Sequence, residues 1–148
     1  TDVAGVELAG ALKNVLAVGA GISDGLGFGD NTKGAFLSRG LMEIARLGQA
    51  FGAVPETFLG PAGAGDLFAT AASGLSRNHR LGEMLGRGVP LDAALREIGQ
   101  VVEGVPTARA ARKLAAGIGE FPVLATVADV VDGTCSPLDG VRRLMERG

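Results

Sequence analysis

Three stretches of this 148-residue chain carry side chains whose types and spacing could do chemistry. Lys13 stands halfway along the most apolar segment, Val3 to Ile22, where an ammonium must snorkel to an edge or be held by a partner in a polar pocket. A lysine held there can give up or take a proton near neutral pH. The bland alternative is a salt bridge to Glu7 or to an aspartate elsewhere. Asn14 follows directly; on a helix it shares a face with Glu7, and Lys13 is turned by roughly 100° from it. Asp66 and Thr70, at i and i+4, fall on one face of a helix that leaves the glycine-rich turn Gly60-Pro-Ala-Gly-Ala-Gly65. Simple capping by Asp66 is the alternative there. Ser76, Arg77 and Asn78 place a hydroxyl, a guanidinium and a carboxamide at the start of another helix. Free backbone N–H groups and a planar fork suit a phosphate or a carboxylate, the alternative being an N-cap beside a solvated arginine. His79 comes next and reads as a bystander. A proton carrier, an orienting carboxylate and an anion clamp together suit a small phosphorylated or carboxylated substrate.

Other chemistries find no residues. The pairs Gly19/Gly21, Gly25/Gly27 and Gly63/Gly65 are followed three positions on by Asp24, Asp30 and Phe68, so none completes G-x-G-x-x-G, and no Gly-Lys pair makes a P-loop. One histidine and one cysteine, 56 residues apart, give no paired metal-ligand spacing. Cys135, being alone, forms no intramolecular disulfide and is consistent with a reducing, cytoplasmic setting. With 14 basic against 16 acidic groups and no Trp or Tyr, the chain lacks the charge and the stacking platforms of a nucleic-acid binder. Val3 to Ile22 has the roughly 20 residues of a membrane span, but Glu7, Lys13 and Asn14 favour a helix buried in a soluble domain.

The elements that must position these residues read as helices. Glycine fills 25 of 148 positions and apolar residues another 47%, without a collagen period and without the Ser and Pro of a linker, so the chain should be folded and well packed. Its length suits one domain, residues 1–148. Asp2 is the expected N-cap of a central helix to Gly25, apolar nearly all round, with Ala9, Gly10, Ala17 and Gly21 allowing close approach of neighbours. Thr32 is expected to cap a helix to about Phe51, with Gly52 at C′. Pro55 opens a short helix, and another starts near Asp66. After a break from Ser73 to Ser76, helices follow over about 78–85, 91–98, 107–116, 123–131 and 137–146. Gln100 to Val105 is the one β-branched run that could be a strand, bounded by Pro106. The prediction is an all-α fold of about eight helices around a long central one.

Val6-Glu-Leu-Ala-Gly-Ala-Leu-Lys-Asn14, Gly25-Leu-Gly-Phe-Gly-Asp-Asn-Thr-Lys33, Gly63-Ala-Gly-Asp-Leu67, Ser76-Arg-Asn78 and Val101-Val-Glu-Gly104 occur in the order and spacing of the NAD(P)-dependent glycerol-3-phosphate dehydrogenases. Over essentially its whole length the chain resembles the C-terminal, substrate-binding half of the bacterial enzymes, a helical domain of the kind seen at the C-terminus of 6-phosphogluconate dehydrogenase. The resemblance implies reversible hydride transfer between NAD(P)H and the C2 carbonyl of dihydroxyacetone phosphate, giving sn-glycerol 3-phosphate for phospholipid synthesis. It makes Lys13 the acid/base residue, held with the substrate oxygens by Asp66 and Thr70. Asn14, Ser76, Arg77 and Asn78 match substrate-binding positions; Arg77, Val101 and Glu103 match positions at the cofactor's edge, which turns the doubtful strand into a loop. It also implies a homodimer and no metal. Thr1 and the missing glycine fingerprint lead to the expectation of a fragment without its N-terminal dinucleotide-binding (Rossmann) domain, inactive by itself. Two readings compete: the helical half of another hydroxy-acid or phosphosugar dehydrogenase, and a non-catalytic dimerisation module.

Overall fold

A computed structural model describes residues 2–73 and 76–147. Among them there are nine α-helices, one π-helical turn and no strand. In chain order the helices are α1 (Val3–Gly25), α2 (Asp30–Ala50), α3 (Pro55–Leu59), α4 (Asp66–Ala72), α5 (Arg77–Gly86), α6 (Leu91–Ile98), α7 (Gly104–Ala115), α8 (Pro122–Asp132) and α9 (Pro137–Glu146), with the π turn Pro61–Gly65 leading into α4. The fold is all-α, as the periodicity predicts.

α1 is the axis. Its 23 residues give it a length of about 34 Å, and every position from Val15 to Ser23 is buried. Asp2 starts it as expected, Oδ1 accepting from the Gly5 N–H at 3.0 Å, while Oδ2 takes the Val54 N–H at 2.8 Å and the Thr57 hydroxyl at 2.7 Å, pinning the beginning of α3 to the same carboxylate. By length and composition α1 could cross a membrane; here half of its apolar window is buried, by α2, α4, α5, α7 and α8. Its most extensive partner is α5. That approach depends on glycine: a Cβ on Gly21 or Gly25 would run into the α5 backbone at His79 and Glu83, and one on Gly82 or Gly86 into the α1 backbone at Val18 and Ile22.

Several expectations need correction. α2 starts at Asp30 behind the extended Gly29, so Thr32 lies inside the first turn and is not the cap; an acid at the positive end of the helix begins it two residues early. Gln100 to Val105 holds no strand, in keeping with the loop that the resemblance implies there. Residues 100–103 form a loop, and α7 begins at Gly104, taking in Val105 and Pro106, because a proline in the first turn surrenders only an N–H that has no helical partner. α5 starts at Arg77, one residue before the expected Asn78, capped by Ser76. Gly10 faces open space and brings no neighbour close. The expected break at Ser73 to Ser76 is described only at its ends, since Gly74 and Leu75 lie outside the described residues. The nine helices correspond one to one to the nine segments read from the sequence, against the rounded count of about eight.

Candidate functional site

Lys13 leaves α1 next to its midpoint, with 22% of its side chain exposed, and its ammonium pairs with the Asp66 carboxylate. This is the aspartate alternative, not Glu7. Asp66 is the first residue of α4, yet its side chain makes no capping bond and turns to the lysine instead. The Lys13 charge is therefore compensated by a partner, and no unpaired buried ammonium has to be accounted for. The π turn sets the angle at which α4 leaves, and Gly63 belongs to its packing: a Cβ there would strike the Phe58 backbone. Gly25 likewise packs on α5, against the Glu83 backbone.

The next residue on α1, Asn14, joins a second junction. Its Oδ1 accepts from Asn78 Nδ2 at 3.2 Å, and Asn78 Oδ1 accepts the Gly104 N–H at 2.8 Å. One carboxamide thus ties α1, the start of α5 and the start of α7 together. Ser76 caps α5 through its Oγ, which accepts from the His79 N–H at 3.2 Å. Arg77 is exposed beside it.

These elements border an open cavity of about 460 Å³, whose walls include Thr70, Ser76, Arg77, Asn78, Val101 and Glu103. Six of the residues singled out in the sequence meet there, contributed by α4, α5 and the 100–103 loop. Lys13 and Asp66 are not on its walls; they connect to it through Asn14, bonded to Asn78, and through Thr70, one turn along α4 from Asp66. The arrangement offers an anion end at the α5 N-terminus and a proton-carrying end at Lys13.

His79 is more than a bystander. It is buried between two carboxylates, with Nε2 at 2.7 Å from Asp24 Oδ2 and Nδ1 at 2.9 Å from Glu83 Oε1, the latter outside hydrogen-bonding alignment. Lys33 Nζ adds a contact to the same Asp24 oxygen at 3.2 Å. The cluster fixes the first turn of α5, where Arg77 and Asn78 sit, onto the C-terminal end of α1. Sequence spacing hides it, because Asp24 and His79 are 55 residues apart.

For a dinucleotide the described residues do not make a cradle: there is no strand entering a glycine turn. Arg77, Val101 and Glu103, with Val101 65% exposed, could touch only one edge of a cofactor held by other parts of a protein.

The family model for the NAD-dependent glycerol-3-phosphate dehydrogenase C-terminus matches residues 2–142. Glycerol-3-phosphate dehydrogenase [NAD(P)+] of Thermoanaerobacter sp. (strain X514) is 53% identical over 147 residues, covering 99% of this chain and 44% of the relative. The protein of the same name from Geobacillus thermodenitrificans is 53% identical over 148 residues and is covered to 43%. Among solved structures, glycerol-3-phosphate dehydrogenase from Coxiella burnetii superposes with a TM-score of 0.94 at 41% identity, over 99% of this chain and 45% of that one. The DsGPDH structure of Dunaliella salina gives 0.85 at 33% identity, over 96% and 26%. The chain thus spans less than half the length of each of these relatives.

Proposed function

Because the chain belongs to the NAD-dependent glycerol-3-phosphate dehydrogenase C-terminal family, we propose that residues 1–148 supply the substrate-binding and proton-transfer part of a reversible reduction of dihydroxyacetone phosphate to sn-glycerol 3-phosphate. The observation that carries this reading is the linkage of the Lys13–Asp66 pair to the Arg77 cavity through Asn14 and Asn78. The phosphate sits at the α5 N-terminus, against Arg77, the Ser76 hydroxyl and Asn78. The C2 carbonyl then reaches toward Lys13 and Thr70. NAD(P)H, held by a dinucleotide-binding domain that docks on the Arg77, Val101 and Glu103 side, supplies the hydride to C2. Lys13 polarises the carbonyl oxygen and donates a proton as the alkoxide forms; in the oxidative direction it takes that proton back. Asp66 keeps the ammonium in place. The reaction feeds phospholipid synthesis in the cytoplasm, and the working protein is a homodimer.

The test joins this chain to the N-terminal region of the Thermoanaerobacter relative and follows cofactor absorbance with dihydroxyacetone phosphate. Lys13→Ala should lower kcat by about 10²- to 10⁴-fold, the usual contribution of a general acid. Arg77→Ala should act mainly on KM for the phosphorylated substrate. A Lys13→Ala chimera with near-normal kcat would remove the lysine from the chemistry and leave the dimerisation-module reading standing.

A further inference from the structure

The segment Gly25 to Lys33 carries part of the family resemblance, yet the reaction outlined above gives it no part. Its lysine ends beside an aspartate in an unfavourable place. Asp24 lies in the last turn of α1, where the helix dipole opposes a negative charge and no basic residue of that turn offsets it. The compensation comes from two other helices. Lys33, near the start of α2, donates to Asp24 Oδ2 at 3.2 Å, and His79, in the first turn of α5, brings Nε2 to the same oxygen at 2.7 Å. A carboxylate only accepts, so Nε2 carries the hydrogen. Glu83 closes the other side of the imidazole at 2.9 Å and is itself held by Arg87, while Asp30 stands 3.7 Å from Lys33.

The junction that this chain of charges spans gives it a use. At Gly21, Gly25, Gly82 and Gly86 the two helices meet backbone on backbone, which sets the distance between their axes but supplies no side chain to fix the rotation of α5 on α1. Two neighbouring side chains in the first turn of α5 supply it. Asn78 reaches Asn14 and His79 reaches Asp24, points about 15 Å apart along α1. Arg77 precedes them in the same turn, so its direction follows theirs. The His79 N–H also holds the oxygen of Ser76, the other side chain at the anion end.

We propose that Lys33, Asp24 and His79 are positioning residues for the anion end of the site, acting on a bound phosphate through the orientation of Ser76 and Arg77 without touching it; this rests on the substrate reading given above. Lys33 and His79 act in series, because both work through the one Asp24 oxygen. Lys33 steadies the carboxylate, and the carboxylate steadies the imidazole that fixes the turn.

The test uses the chimera described above, with kcat, KM for dihydroxyacetone phosphate and the inhibition constant of inorganic phosphate measured for each variant. His79→Leu should raise KM about tenfold, within the range for substitutions along a coupled network, and weaken phosphate inhibition by the same factor, with kcat little changed. His79→Gln keeps an N–H for Asp24 and should recover most of the loss. Lys33→Met should act in the same direction, and the double variant His79→Leu/Lys33→Met should be no worse than His79→Leu alone, as expected for two groups acting through one carboxylate. Lys33→Met, outside the contact of α1 with α5, carries the test if His79→Leu does not fold. Arg109→Met, which breaks the 2.8 Å pair with Asp132 between α7 and α8, is the control for losing an ion pair as such. KM unchanged in both His79→Leu and Lys33→Met would overturn the positioning role. A KM that rises while phosphate inhibition stays put, or that rises equally in Arg109→Met, would overturn it as well. An unsubstituted chimera without turnover would overturn the substrate reading itself, and this inference with it; once that chimera turns over, the variants bear on the positioning role alone.

Discussion

Glu43 shows how one side chain can hold two helices together and at what electrostatic cost. It projects from α2, is 7% exposed, and accepts the Val123 N–H at 2.7 Å on Oε1 and the Leu124 N–H at 3.0 Å on Oε2, so an acid from one helix caps the start of another, α8. Burial pushes its carboxyl above the ordinary range, against the pull of those two N–H groups and of Arg46 and Arg147. A carboxyl raised in the folded state binds more protons there than in the unfolded chain. Its contribution to stability is therefore greatest below the ordinary carboxylate value and is lost as pH rises through the raised one. Denaturant midpoints of the native chain and Glu43→Gln, measured from pH 7 down through the carboxylate range, should show the native chain gaining on the variant as pH falls; a gain with rising pH would contradict the assignment. Glu43→Ala leaves two buried N–H groups unpaired and should cost about 1–3 kcal/mol at neutral pH. Nothing in the sequence marks this residue, since its partners are 80 and 81 positions away. Lys13 is legible for the opposite reason: a charge in an apolar helix is an anomaly within its own neighbours, and its partner, left by the residues alone as Glu7 or an aspartate elsewhere, is the Asp66 that the resemblance implies.

At the scale of elements, the junction of α1 with α5 carries the site, because Lys13 and Asn14 belong to one helix and Arg77 and Asn78 to the other. Gly82→Ala places a methyl group on the Val18 carbonyl, backbone against backbone, with no flexible side chain able to yield. The helices must separate, which should cost about 3 kcal/mol, the upper end for overpacking, and disturb the Asn14–Asn78 bond. Gly10→Ala is the contrast. With no atom within 4 Å of the added methyl, it should stabilise the chain by up to about 1 kcal/mol through helix propensity alone. Thermal unfolding of the two variants distinguishes a packed glycine from a free one, and equal effects would refute the packing argument. Nearly every helix is legible in the sequence because periodicity and punctuation are local: Pro137 and Ser136 start α9, and Gly99 at φ 69° stops α6. Of the packing glycines, Gly21 is legible as a point of close approach, while Gly25, Gly82 and Gly86 are not. The i, i+4 spacing of Gly21 with Gly25 and of Gly82 with Gly86 was the available signal, but a glycine's packing role is a property of the facing helix. Val101 and Val102 are the ambiguous case: β-branched residues in a crossing loop look like a short strand in the sequence, and it is the resemblance that implies the loop found there.

For the molecule as a whole, the proposed division of labour makes a prediction about the chain by itself. Hydride transfer requires the donor carbon held within about 3–3.5 Å of C2 in the right orientation, and that positioning can account for roughly 7–11 kcal/mol of the barrier. The 148 residues offer Arg77, Val101 and Glu103 to one edge of a cofactor, no complete glycine fingerprint, and no strand among the described residues to present one. The residues proposed for substrate binding and proton transfer, by contrast, lie on α1, α4, α5 and the loop before α7, all of which are in place. The two capacities should therefore separate. Mixed with dihydroxyacetone phosphate and NADPH, the chain should leave cofactor absorbance unchanged, while glycerol 3-phosphate should still shift the amide resonances of Arg77 and Asn78 and lose that effect in Arg77→Ala. Joined to a dinucleotide-binding domain, the same chain should turn over. Turnover by the chain alone within the usual enzymatic range of about 1–10³ per second would mean that these helices position the nicotinamide unaided. The cofactor would then have to lie across the 460 Å³ cavity, and the assignment of its rim to a docking domain would fall.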